Sequence, residues 1–181
     1  MPEPVLDRER ALHEAAHAVV AIRLGLPLAS TDIESRPITD ISGHGIPDDV
    51  VVTQGGLTTL TEGTIDALLA ALPGSTAREG LEAVGVMIAA GVEAEIRGGV
   101  TAHDVRCRSD VYDLVVLARV LGIGNSTGDP PVVAWMHALN VRAWGFLRQD
   151  GKAAWHRVAA ALIQRRSLSG VEVEELVSKR P

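Results

Sequence analysis

A single cysteine, Cys107, stands among 181 residues. No intrachain disulfide can form, and neither a multi-cysteine zinc ribbon nor a CxxC redox pair can be built. Such usage points to a reducing compartment, and the chain reads as cytoplasmic. Net positive charge is also missing: the balance is -6, and basic clusters such as Arg165 and Arg166 are short. Broad binding to a phosphate backbone is therefore not expected, and no nucleic acid partner is inferred. No run approaches the roughly 20 apolar residues that cross a bilayer. The opening "MPEPVLDRERALHEAAH" lacks a basic segment followed by an apolar core, so no leader or membrane partner is expected. There is no phosphate-cradling GxxxxGK[ST], and the chain is not expected to bind ATP itself. What is present is ordinary for a globular chain, 46% hydrophobic and 22% charged residues, enough for one domain spanning 1–181 with a full core.

Punctuation along the chain predicts a mainly α fold with a small β-sheet, an α+β domain. Residues 7–25 read as a helix, opened by "DRER" and closed by Gly25 with Pro27 beyond. Short β-like runs follow near Thr31–Ser35 and Val50–Gln54, separated by "RPITDISGHGIP". A helix is expected from Thr61 to Leu72. Another starts at a Thr76/Glu79 capping box and runs toward Ile96, stopping at Gly98 and Gly99. "SDVYDLVVLARVLG" reads as a helix stopped by Gly122. Three more are predicted over residues 132–148, 152–166 and 171–179, with Pro131 in the first turn of the first and a Ser169/Glu172 capping box opening the last.

Within the first helix, "LHEAAHAVV" sets His13 and His17 four residues apart around Glu14, amid residues that belong to a core. Residues at that spacing stack one turn above each other, so two imidazoles can face one ion. Glu14 can then reach water bound to it. This is the arrangement of the HExxH zinc hydrolases: two ligands, a general base and an open coordination position. Zinc lowers the pKa of its water to about 7, and a neighbouring carboxylate can take the proton as that water attacks a carbonyl. A third protein ligand must come from elsewhere.

That ligand should be an acid or imidazole pointing into the core. At 100° per residue, Leu114, Leu117 and Leu121 fall within about 40° of Asp110, which therefore sits in the middle of an apolar face. A buried carboxylate in that position needs a cation, a proton or a hydrogen-bonded partner. Asp113 points to the flank. Glu95 is a rival, within about 60° of Leu81, Val84, Ile88 and Val92, with orientation of a ligand as its alternative role. For Asp110 the alternative is an N-cap of its own helix. His44 and His103 lie in Gly-rich loops and are weaker candidates.

With these pieces in place, the chain resembles the zinc peptidase domain of the FtsH family, the membrane-anchored ATP-dependent proteases. "LHEAAHAVVAIRLGLP" is similar to the family's HEAGHA helix, with Ala16 in place of its glycine. "IAAGVEAEIRGGVTAHDVRCRSDVYDLVVLAR" resembles its helix-loop-helix, with Gly91, Ala94, Glu95, Val100, Thr101, Ser109, Asp110, Ala118 and Arg119 in register. The closing "AAWHRVAAALIQRRSLSGVEVEEL" is similar to its C-terminal helices. The resemblance implies His13, His17 and Asp110 as ligands of one zinc per chain, Glu14 as catalytic base, and Glu95 as an acid beside the site. The loop before Asp110 is longer than the family's and carries His103, Arg106, Cys107 and Arg108 where the family has small residues, so a reshaped cleft mouth is expected.

The implied activity is endopeptidase-type hydrolysis. The short strands offer an edge to which an extended substrate can add. The family's ATPase module and membrane segments have no counterpart in these residues, so the expected substrates are peptides or unfolded protein segments, or proteins delivered by a separate ATPase. A homo-oligomeric ring, as in the family, is the implied assembly. Two alternatives remain open: a catalytically silent zinc-binding interaction or adaptor module, and a hydrolase of non-peptide amides. Retention of Glu14 favours the enzyme.

Overall fold

The computed structural model describes residues 4–37, 53–72, 74–98, 107–148 and 150–179. Among them are seven helices and a three-stranded antiparallel sheet, so the architecture is mainly helical with a minor sheet. The elements run α1 (Pro4–Arg23), β1 (Leu28–Pro37), β2 (Thr53–Leu60), α2 (Thr64–Ala70), α3 (Ser75–Gly98), α4 (Cys107–Val120), α5 (Pro130–Leu147), α6 (Asp150–Arg165), β3 (Ser167–Ser169) and α7 (Gly170–Ser178). No helix among the described residues is long and apolar enough to cross a membrane.

The first helix is the hub. Ala11, Leu12, Ala15, Ala16, Ala18, Val19, Val20 and Ala21 are all buried, because α1 is covered by α3, α6, α5, α7 and the sheet. That enclosure explains why the segment is apolar nearly all round instead of amphipathic. The side chains are small, which lets neighbouring backbones approach closely. Trp155 of α6 reaches across to donate its indole N–H to the Leu12 carbonyl at 2.7 Å. The α4 helix lies on α3 through a smaller cluster of Leu81, Leu117 and Leu121. Leu117 and Leu121, with the buried Leu114, form the apolar face on which Asp110 was expected. At the joint between α6 and β3, Arg166 adopts φ 70° and holds Asp7 of α1 at 2.6 Å and Glu34 of β1 at 3.2 Å.

Three sequence expectations need correction. The second strand extends further than the run around Val50–Gln54, of which Thr53 and Gln54 lie in it. Val50, Val51 and Val52 are outside the described residues, and β2 continues through Gly55 and Gly56 to Leu60. The glycine pair beyond the expected run stays within the strand, where Gly56, at φ 139°, faces Glu14 of α1. The following helix is correspondingly shorter, Thr64–Ala70. Second, α3 starts at Ser75, so Thr76 sits inside the first turn and does not cap it. Third, a strand not anticipated, β3, follows α6. The strand order β2-β1-β3 puts β1 in the middle, with Ser30, Thr31 and Asp32 paired to β3. The stretch Thr31–Ser35 is therefore not an open edge over those residues.

Other expectations match. Ser169 caps α7 in a full capping box with Glu172, Pro130 and Pro131 occupy the first turn of α5, and Asp110 lies in the first turn of α4, three residues past its start, and so is not the N-cap. Replacing Ser169 by Ala should cost about 1 kcal/mol of stability through loss of the cap. Urea denaturation followed by circular dichroism would measure it.

Candidate metal centre

Three helices bring the centre together: α1 supplies His13 and His17, α4 supplies Asp110, and α3 backs both histidines. His17 Nδ1 lies 2.8 Å from the Met87 carbonyl of α3. His13 Nδ1 lies 2.9 Å from Glu95 Oε1, also of α3. A carbonyl can only accept, so His17 places its proton on Nδ1, and an ionised Glu95 carboxylate 2.9 Å from His13 Nδ1 favours the same placement there. The two Nε2 atoms then carry lone pairs, and they point at each other across 3.0 Å. Asp110 Oδ2 completes the triangle at 3.2 Å from His13 Nε2 and 3.4 Å from His17 Nε2. That oxygen is buried and makes no hydrogen bond.

Three lone-pair atoms converging without a donor between them repel one another unless a cation lies among them. Their separations suit one. Tetrahedral zinc with N and O ligands at 2.0–2.1 Å has ligand–ligand edges of about 3.3 Å, and the observed edges of 3.0, 3.2 and 3.4 Å bracket that value. The donor set of two imidazoles and one carboxylate is also one that zinc accepts. The side chains of His13 and Asp110 keep 11% and 13% exposure, although Asp110 Oδ2 itself is buried.

The close approach of α3 depends on Gly91. A Cβ there would stand 2.5 Å from His17 Cε1 and 2.6 Å from His13 Cε1. Only a bare backbone lets α3 pass close enough for Met87 and Glu95 to hold both rings.

Glu14 projects from α1 toward the sheet and is buried. Its Oε2 accepts a hydrogen bond from Thr58 of β2 at 2.8 Å, and Thr58 is paired in register with Thr31 of β1. Burial pushes the Glu14 carboxyl above its ordinary pKa, while His13, His17 and Thr58 act against that rise. Such a shift suits a group that must take and later return a proton.

Burial disfavours a charged imidazole at His13, yet the Asp110 and Glu95 carboxylates outweigh it and raise its pKa well above the ordinary value. His17 is likewise raised against burial, chiefly by Asp110. Asp110 is held well below the usual carboxylate range: burial opposes this, but the two imidazoles prevail. With no cation among them, the neighbouring carboxylates thus favour protonation of both rings.

The sequence-derived residues His13, Glu14, His17, Asp110 and Glu95 are thus brought together, with Glu95 behind His13 and not within the triangle. Asp113 is exposed on α4. His44, His103 and Arg106 lie outside the described residues. Sequence reasoning missed Thr31, Thr58, Gly56 and the Met87 carbonyl. A strand assignment over residues 53–60 would have found Thr58, since alternation puts Gly56, Thr58 and Leu60 on one face.

Two outcomes follow from this geometry. Gly91→Ala should leave helix content intact, since Ala favours helix over Gly, but weaken zinc affinity roughly tenfold or more by displacing the rings; competition with a chromogenic chelator would measure it. The second concerns pH. In chelated protein the lowered Asp110 pKa contributes stability above about pH 4, lost as pH falls, and the raised histidine pKa values contribute below about pH 6.5, lost as pH rises. The elevated pKa of buried Glu14 also favours the acid side. Chelated protein should therefore melt highest between about pH 4 and 6.5, and added zinc should restore stability at pH 8, where the ligands release protons readily. Thermal scans across pH with and without zinc would test both limbs. No protein-family model matches the chain and no curated protein matches it, so these residues themselves carry the functional argument.

Proposed function

We propose that the protein is a zinc-dependent metallopeptidase of the FtsH type, acting on peptides or unfolded protein segments. The observation that carries this reading is the convergence of His13 Nε2, His17 Nε2 and Asp110 Oδ2 into one triangle with a buried carboxylate, Glu14, adjacent in the chain. A site serving only to stabilise the fold closes with four protein ligands. Among the described residues three converge, two of them on side chains, His13 and Asp110, that keep some exposure.

Zinc, when bound by these three side chains, supplies a Lewis acid that polarises water and the scissile carbonyl. Glu14 takes the proton of the attacking water and returns it to the departing amine, and its raised pKa keeps both transfers within reach. Glu95 and the Met87 carbonyl fix the ring orientations through Nδ1, so the imidazoles need not reorganise during the reaction. The substrate lies extended along β2, the outer strand of the sheet among the described residues, pairing its backbone with that edge. Since Glu14 lies beneath β2 through Thr58, a chain added to this strand runs beside the carboxylate. Ring assembly, and delivery of folded substrates by a separate ATPase, belong to the same proposal through the family resemblance. Cytoplasmic residence rests on the lone cysteine.

Purified protein should contain one zinc per chain, and His13→Ala, His17→Ala and Asp110→Ala should each lose it on dialysis. Elemental analysis of Asp110→Ala is the sharpest check, since full occupancy there would remove Asp110 from the ligand set. Glu14→Gln should keep zinc while hydrolysis of unfolded casein falls by about 10²–10⁴-fold. Equal cleavage by wild type and Glu14→Gln would instead leave a zinc-binding module without turnover.

A further inference from the structure

The hydroxyl groups on the inner face of the sheet have a directional order. Thr31 is fully buried, and its Oγ1 lies 2.8 Å from Thr58 Oγ1 in the cross-strand pair. Thr58 Oγ1 in turn lies 2.8 Å from Glu14 Oε2 and 3.2 Å from the Glu14 carbonyl. A hydroxyl has one proton to give. When Glu14 is ionised it can only accept, so the Thr58 proton goes to Glu14 and Thr31 must donate to Thr58. Each hydroxyl polarises the next, which strengthens the final bond to the carboxylate.

On the other side of the same carboxylate stands Gly56. A Cβ there would lie 2.8 Å from both Glu14 Cγ and Glu14 Oε1. The strand thus grips Oε2 through Thr58 and clears space for Oε1 at Gly56. A glutamate without such a grip has rotamer freedom that must be lost before it can act.

We infer that Thr58, oriented by Thr31, is the positioning residue for Glu14: it holds Oε2 and leaves Oε1 as the atom that exchanges protons with water and the leaving group. The effect on turnover rests on the peptidase reading. The contact itself does not, and the two are separable by experiment.

The first measurement is a double-mutant cycle on unfolding in chelated protein, which needs no activity. Thr58→Val should lower the folded-to-unfolded ratio about tenfold in wild type, as for a hydrogen bond to a charged group, and less than threefold or so in a Glu14→Ala background. An additive cycle overturns the inference, whether or not the protein is active. The second measurement is steady-state hydrolysis. Thr58→Val should keep zinc content and KM while kcat falls roughly tenfold, Thr58→Ser should restore kcat by returning the hydroxyl, and Thr31→Val should give an intermediate loss. An unchanged kcat in Thr58→Val, or a Thr58→Ser as impaired as Thr58→Val, also overturns it. Should Thr58→Val fail to fold, the cycle and the kinetics are read with Thr31→Val, where additivity and an unchanged kcat carry the same negative weight. A coupled cycle in a wild type that hydrolyses nothing upholds the grip on Glu14 and overturns the hydrolase reading instead.

Discussion

Two imidazole rings on α1 lie against a stretch of bare backbone on α3, and most of the structure is arranged around that contact. Gly91 lets the helices meet closely, while Met87 and Glu95, on the same helix, take the two Nδ1 positions. Both rings are thereby fixed in orientation and tautomer, with their remaining nitrogens turned the same way. The α4 helix then has one task at this site, which is to bring Asp110 to that point. It does so by resting Leu114, Leu117 and Leu121 on the core, burying its apolar face with the carboxylate in the middle.

The interior polar groups are tolerable because each is matched by another. His17 and Glu14 are as buried as many of the aliphatic side chains around them. Isolated groups of this kind in an apolar interior are costly. Here each contact answers a need on both sides: imidazole against carbonyl, imidazole against carboxylate, carboxylate against hydroxyl. Among the described residues, the two Nε2 atoms and Asp110 Oδ2 face one another with no donor between them, a group that could hold a metal ion. Three acceptors facing each other concentrate unmet electrostatic demand at that point.

Much of this could be read from spacing. His13, Glu14 and His17 declare themselves by the four-residue interval, and Asp110 by its position among leucines one and two turns away. The Ser169/Glu172 box and the proline pair at α5 follow local rules that tertiary contacts do not override. The sheet was harder. Residues 55–60 fall between the expected strand and the expected helix, and the reason for a glycine inside β2 is the Glu14 side chain, which is distant in sequence. β3 is three residues long and carries no periodicity of its own, so its existence depends on β1 being there to pair with it. Thr58 was hidden by the same error: a threonine before a presumed helix has no evident face, whereas in a strand it points at Glu14. Glu95 satisfied the same face criterion as Asp110, and only the three-dimensional arrangement separates an acid that touches the back of a ring from one that faces its front.

The position of β1 between β2 and β3 also bears on how the molecule comes into being. β1 meets β2 after a short interval, but the contact between Glu34 and Arg166 that accompanies its other edge joins residues 132 apart. At elongation rates of about 5–20 residues per second, the strand leaves the ribosome on the order of ten seconds before its second partner exists. Throughout that interval one side of β1 has unpaired amide and carbonyl groups, the kind of edge that recruits strands from other chains. Arg166, strained at the joint and gripping both Asp7 and Glu34, is the clasp that ends this exposed period.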